Sequence, residues 1–191
     1  MEALSVPRPA WMTEELNLLE EQTRRFLSHE MVPHIEKWHE QGMMDRSAWN
    51  KLGEAGLLLA GIPEEYGGAG GTFAHETVIN REFALAGMDQ IGAPLHSGIV
   101  APYILNYGTE EQKKNSLPKL ASVELYDSIA LSEPGAGPVP QAVRTTAGMS
   151  GNGYELNGPK TFLTHGQPAN LITVAAKTDP TQAHHDAPLL A

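Results

Sequence analysis

Apolar side chains recur at helical spacing from Thr13 onward. Leu16, Leu19, Thr23, Phe26 and Leu27 fall on one face, and Thr13 is placed to cap the helix, with Glu14 and Glu15 in a first turn whose dipole favours acids. Pro33 is expected to kink or end this helix, with Ile35 and Trp38 continuing a turn beyond it. Asp45 reads as the next cap, with Ala48, Trp49 and Leu52 turned inward and Gly56 past the end. A helix over about 73–86 carries Val78, Ile79, Phe83 and Leu85; another spans about 94–107, its Leu, Ile and Tyr stripe expected in the core. Thr109 and Gln112 form a capping box for a short helix that ends before Leu117-Pro118.

The pattern changes near Glu124. Val143, Thr145, Ala147 and Met149 alternate with other residues, as on a half-buried strand. Residues 154–156, the Asn157-Gly158 pair and residues 160–163 read as a hairpin about an Asn-Gly turn. An apolar strand over 171–176 is ended by Thr178-Asp179-Pro180, and 181–191 show no clear element. The expected organisation is an all-helical domain over 1–123 followed by an antiparallel β domain over 124–191. That β domain is expected to be incomplete and to leave an edge that needs covering.

Composition narrows the classes. Of 191 residues, 41% are hydrophobic, enough for a true core. The net charge of −10 argues against nucleic-acid partners, which call for a basic face, but not against a ligand that needs a few local cations. There is no Cys, hence no disulfide frame or thiolate metal site. The N-terminus shows no secretory leader pattern and no apolar run is long enough to span a membrane, so a cytoplasmic protein is expected. His29, His34 and His39 are splayed by their five-residue spacing, and His184-His185-Asp186 reads as a solvated tail; no metal site is expected at either. The glycines of 67–71 follow no strand and precede no Lys, which excludes a dinucleotide fingerprint or P-loop and suggests a mobile loop.

Two segments carry candidate chemistry. Residues 131–137 read L-S-E-P-G-A-G, a strand end turning on Pro134, Gly135 and Gly137. Residues 157–166 read N-G-P-K-T-F-L-T-H-G, a turn, a short strand and another turn. Bare backbone at glycine admits a large anionic cofactor. On a strand, Phe162 and Thr164 point to one side, one to pack on a flat heteroaromatic ring and the other to hydrogen-bond its edge. Glu133, inside the turn, reads as a structural acceptor rather than a base.

Together these segments resemble the flavin-binding core of the acyl-CoA dehydrogenase family. Further landmarks are W-N-K-L-G-E-A-G at 49–56, P-E-E-Y-G-G at 63–68, Y-G-T-E-E-Q-K at 107–113 and L-P-K-L-A at 117–121. The resemblance runs from about Thr13 to Pro180 and implies a helical domain followed by part of the middle β domain, without the C-terminal helical domain. It implies FAD as cofactor, an acyl-CoA substrate, an electron-transfer flavoprotein as partner and a homo-oligomer at full length. The reaction it implies is removal of an α-proton and transfer of a β-hydride to the flavin, in fatty acid metabolism. Ile129, Ala130, Leu131, Ser132, Glu133, Pro134, Gly135, Ala136, Gly137 and Pro138 match the segment along the flavin ring and towards its phosphates. Phe162, Leu163 and Thr164 match an aromatic–aliphatic–hydroxyl triplet at the ring edge. Pro138 also matches a position at the CoA entrance, and it departs from the family: it stands where the family has Ser and supplies neither N–H nor O–H. No residue matches the family's catalytic Glu, so the chain alone is expected to be inactive. A related acyl-CoA oxidase, or a non-catalytic protein binding flavin or a CoA ester, are the alternatives. The apolar stripe within 94–107 lies where the family places an acyl pocket.

Overall fold

Thr13 opens the first helix as its composition requires: its hydroxyl accepts the Leu16 N–H at 3.3 Å, and α1 runs over Glu14–Phe26. The computed structural model describes residues 8–88, 91–135, 142–179 and 189–190. Pro33 does not end the helical path. A π-turn over Leu27–Met31 and a 3-10 turn over Val32–His34 absorb the missing N–H, and the chain continues as α2, Ile35–Gln41. Asp45 stands at the N-cap of α3, Arg46–Glu54, but makes no side-chain cap. Its carboxylate instead takes Lys37 at 2.6 Å, Gln41 at 3.0 Å and Trp38 at 3.2 Å, which together hold its pKa near 2.

α4, Phe73–Leu85, begins with a capping box between Thr72 and His75 and packs on α1. The two helices are joined by charge. Arg24 bonds Glu82 through Nε at 2.9 Å and holds Glu20 at 2.6 Å, and both carboxylates are buried. α5, Ala93–Leu95, passes through a π-turn at His96–Val100 into α6, Ala101–Tyr107. That π-turn inserts one residue per turn and shifts the apolar stripe in phase. Val100 and Ala101 are therefore buried, whereas Ile99, Tyr103 and Tyr107 are exposed, so the stripe expected in the core leaves it at these three positions. α7 spans Glu110–Ala121 from the expected Thr109–Gln112 capping box and carries Pro118 inside it, running past the expected stop. Leu117 and Leu120, both 0% exposed, anchor this last stretch in the core.

The glycine loop between α3 and α4 is fixed rather than loose. Ala69, Gly70 and Gly71 donate to the carbonyls of Leu59, Ile62 and Ala60 at 3.3, 2.9 and 2.9 Å. A side chain at Gly68 would stand 2.1 Å from the Ile62 carbonyl oxygen, so only glycine fits there. Trp49, Leu52, Leu59, Phe83, Leu117 and Leu120 form the centre of this first unit. No helix among the described residues is long and apolar enough to cross a membrane.

The chain divides into two compact units, Met1–Val123 and Glu124–Ala191. In the second, β1 (Asp127–Ala130) pairs in parallel with β4 (Leu171–Val174), as Ser128 opposite Ile172 and Ala130 opposite Val174. β2 (Thr146–Ser150) and β3 (Gly153–Asn157) form an antiparallel hairpin. β5 (Ala176–Lys177) joins β2 in parallel, and β6 (Leu189–Leu190) joins β5 antiparallel, giving the order β3-β2-β5-β6. The unit is thus a small open sheet domain as expected, with pairing of mixed sense rather than antiparallel throughout. The hairpin turn also differs. It is the two-residue Gly151-Asn152 loop, with Gly151 at φ 59°, and not Asn157-Gly158, which ends β3.

Candidate functional site

β1 delivers the chain into the first candidate segment, with Ile129 half-buried and Ala130 buried. Leu131 and Ser132 leave the sheet half-buried, Glu133 turns inward at 4% exposure, and Pro134 and Gly135 lie in an exposed turn. Ala136, Gly137 and Pro138 lie outside the described residues.

Glu133 is surrounded by donors. One carboxylate oxygen accepts the Thr145 N–H at 2.9 Å, the Thr145 hydroxyl at 2.6 Å and the Lys160 ammonium at 2.9 Å. The other accepts the Arg144 N–H at 2.8 Å. Burial pushes this carboxyl up, but the Thr145 hydroxyl and amide, Lys160 and the Arg144 amide outweigh it and hold the pKa down at about 2. A carboxylate so stabilised is a poor proton acceptor, which supports the structural role expected of it.

The second segment is bound to the first. Gly158 has φ 152°, and a side chain there would meet the Thr145 hydroxyl at 2.4 Å, so this glycine serves close packing rather than a hairpin turn. Lys160, its side chain 9% exposed, also bonds the Leu131 carbonyl at 3.2 Å. The Thr161 N–H donates to the Ser132 carbonyl at 3.0 Å, and the Ser128 hydroxyl to the Thr164 carbonyl at 2.6 Å.

The expected strand over 160–163 does not form. Phe162 has φ 55° and His165 φ 60°, left-handed conformations that break strand geometry, and a turn begins at Thr164. Alternation therefore does not place Phe162 and Thr164 on one side. Even so, Phe162 is 92% exposed, Leu163 is half-buried and Thr164 is exposed. Behind them the His165 ring packs on Tyr126 with centroids 4.6 Å apart. The structure thus joins Leu131, Ser132 and Glu133 to the 160–164 stretch. The Ser132 and Thr164 hydroxyls bond no other described residue. Lys160, Thr145 and the Arg144 amide are missed by motif reading. A buried Glu without a partner in its own turn was the signal that a cation had to reach it from elsewhere in the chain.

Comparison with known proteins places this geometry in a class. The profile of the acyl-CoA dehydrogenase N-terminal domain matches residues 13–124, and that of the acyl-CoA dehydrogenase middle domain matches residues 128–190. The chain belongs to the acyl-CoA dehydrogenase family. It is 40% identical over 165 residues to the long-chain specific acyl-CoA dehydrogenase of mouse mitochondria, covering 86% of this chain and 38% of that protein. It superposes on an acyl-CoA dehydrogenase from Geobacillus kaustophilus with a TM-score of 0.90 at 43% identity, over 95% of this chain and 48% of that one. An acyl-CoA dehydrogenase from Bacillus anthracis complexed with FAD gives a TM-score of 0.80 at 36% identity, over 90% and 31% of the two chains. The chain thus spans less than half the length of each of these relatives.

Family members depend on FAD. The residues present fit such a group: an exposed aromatic ring and two hydroxyls without partners among the described residues stand on segments bonded to each other, in a turn that exposes Gly135.

Proposed function

We propose that this chain supplies the flavin-ring-facing segments of an FAD-dependent acyl-CoA dehydrogenase, which removes an α-proton and a β-hydride from an acyl-CoA thioester to leave the 2-enoyl-CoA. The observation that carries this reading is the bonding of Leu131–Ser132 to Lys160–Thr161, which brings the Ser132 and Phe162–Thr164 segments together. When bound, FAD accepts the hydride. The Phe162 ring offers a flat apolar surface to a heteroaromatic ligand. The Ser132 and Thr164 hydroxyls offer donors to an edge that gains electron density, so their contribution grows along the reaction. Glu133, held at about 2, does not act as the α-proton acceptor.

Titrating the 191-residue chain with FAD while following flavin fluorescence tests the reading. A saturable change that is lost in the Phe162→Ala/Thr164→Val double variant is expected, and no saturable change at any FAD concentration would defeat it. Dye reduction with acyl-CoA thioesters of several lengths is expected to stay at background for this chain, because a missing base removes a factor of about 10²–10⁴ or more.

A further inference from the structure

We propose that Lys160 is a positioning residue for the cofactor, setting the offset between the Ser132 turn and the Phe162–Thr164 segment through its simultaneous bonds to the Leu131 carbonyl and the Glu133 carboxylate. The proposal rests on the flavin reading above and names the part of the chain that arranges the site. The ammonium reaches Leu131 O at 3.2 Å and Glu133 Oε1 at 2.9 Å. Lys160 immediately precedes Thr161, whose N–H is bonded to Ser132 O, and stands two residues before Phe162. Glu133 in turn is fixed by the Thr145 hydroxyl and the amides of Arg144 and Thr145, at the entry to β2. The offset of the two segments is thereby referred to the sheet through one buried ion pair.

An apolar side chain of similar length fills the same volume but leaves the Leu131 carbonyl and a Glu133 oxygen without this donor. Buried ion pairs contribute little net stability against apolar replacements, while their directional bonds fix one arrangement among several. Phe162 needs such fixing, because its positive φ is a conformation that an unconstrained Phe leaves. The Ser132 and Thr164 hydroxyls take their positions from backbone that the Thr161–Ser132 and Ser128–Thr164 bonds hold on either side.

The test compares the unaltered chain with Lys160→Met, Lys160→Arg and the charge-balanced double variant Lys160→Met/Glu133→Gln. Gln keeps one oxygen for the Thr145 amide and hydroxyl but turns an NH2 toward the Arg144 N–H, so the double variant removes the unpaired buried charge, and Glu133→Gln alone, run beside it, accounts for the lost Arg144 bond. Two readouts apply. Amide hydrogen exchange at Thr161 reports the joint between segments without any flavin, and is expected to quicken tenfold or more in both Met-containing proteins, with exchange in β1 and β2 unchanged in the charge-balanced double variant. FAD titration is expected to show at least tenfold weaker binding in the same two proteins and partial recovery in Lys160→Arg. Unchanged Thr161 exchange in the double variant overturns the joint itself, whatever flavin does. Faster exchange with unchanged FAD affinity overturns the positioning role while leaving the flavin site intact. Failure of the unaltered chain to bind FAD counts against the flavin reading and removes the cofactor half of this proposal, while the Thr161 result separately decides the joint.

Discussion

At the residue scale, Glu133 shows how one buried side chain couples the site to pH. Its folded pKa of about 2 lies below the ordinary 4.5, so its stabilising contribution is present above 4.5 and is lost as pH falls from there through about 2. Glu133→Gln is therefore expected to destabilise the second unit by roughly 3 kcal/mol at pH 7, because Lys160 loses its buried counter-charge. Urea unfolding of both proteins should show the gap closing as the pH is lowered from 5 towards 2; a gap that stays constant would mean that the carboxylate's charge is not what stabilises the turn. Glu76 in α4 is the opposite case. Burial raises its pKa above 4.5 against the opposing amides of Gly61 and Ala60 and the charges of His96 and His75. One oxygen accepts the Gly61 N–H at 2.9 Å, and the other is buried without a hydrogen-bond partner among the described residues. With a raised pKa, the stabilising contribution is complete below 4.5 and lost as pH rises through the folded value. Glu76→Gln should thus be more stable than the unaltered chain at pH 7.5, by about 1–2 kcal/mol, with the advantage gone at pH 4. Thermal melts at the two pH values check this, and an advantage independent of pH would refute it.

At the scale of elements, the α3–α4 loop is governed by backbone approach rather than by side chains. Gly68→Ala places a methyl against the Ile62 carbonyl and is expected to cost about 1–3 kcal/mol, measurable by denaturant titration, whereas Gly42→Ala, with open space around it, pays only for its φ of 73°. Elements governed by local chemistry were legible in the sequence. Thr13 and Thr109 cap where their hydroxyls predict, and the amphipathic faces around Trp49 and Phe83 are buried as their periodicity predicts. Elements decided by distant partners were not. Pro118 is carried through α7 because Leu117 and Leu120 are locked in the core. Asn157-Gly158 lost to Gly151-Asn152 as the hairpin turn because two competing turn signals stand six residues apart, and pairing with β2 decides between them. Phe162 escapes the strand expected of it because Lys160 and Thr161 are already bonded to the preceding segment. The candidate residues were readable as a motif, and Lys160 stood inside it; its bonds to Leu131 and Glu133 were not, since they depend on how the chain brings the two segments together, and Arg144 and Thr145, whose amides complete the set, belong to no motif.

At the scale of the whole molecule, one feature bears on behaviour in concentrated solution. β3 is the outer strand of its sheet and every one of its residues is exposed. Its register with β2 sets Tyr154 opposite Met149 and Leu156 opposite Ala147, so one face of the hairpin carries three large apolar side chains in water, Met149 at 73% and Tyr154 and Leu156 at 47% each. Among the described residues nothing pairs with its outer edge, and a free rank of backbone donors and acceptors beside such a face is a template for another copy's strand. Light scattering should accordingly rise with protein concentration. Tyr154→Lys should suppress it without lowering the melting temperature by more than a few degrees, because an exposed side chain contributes little to folding. Chains of this sequence prepared for any of the measurements above would then be limited by colloidal stability before they are limited by unfolding, and dilute samples would report on the fold while crowded ones report on strand exchange between copies.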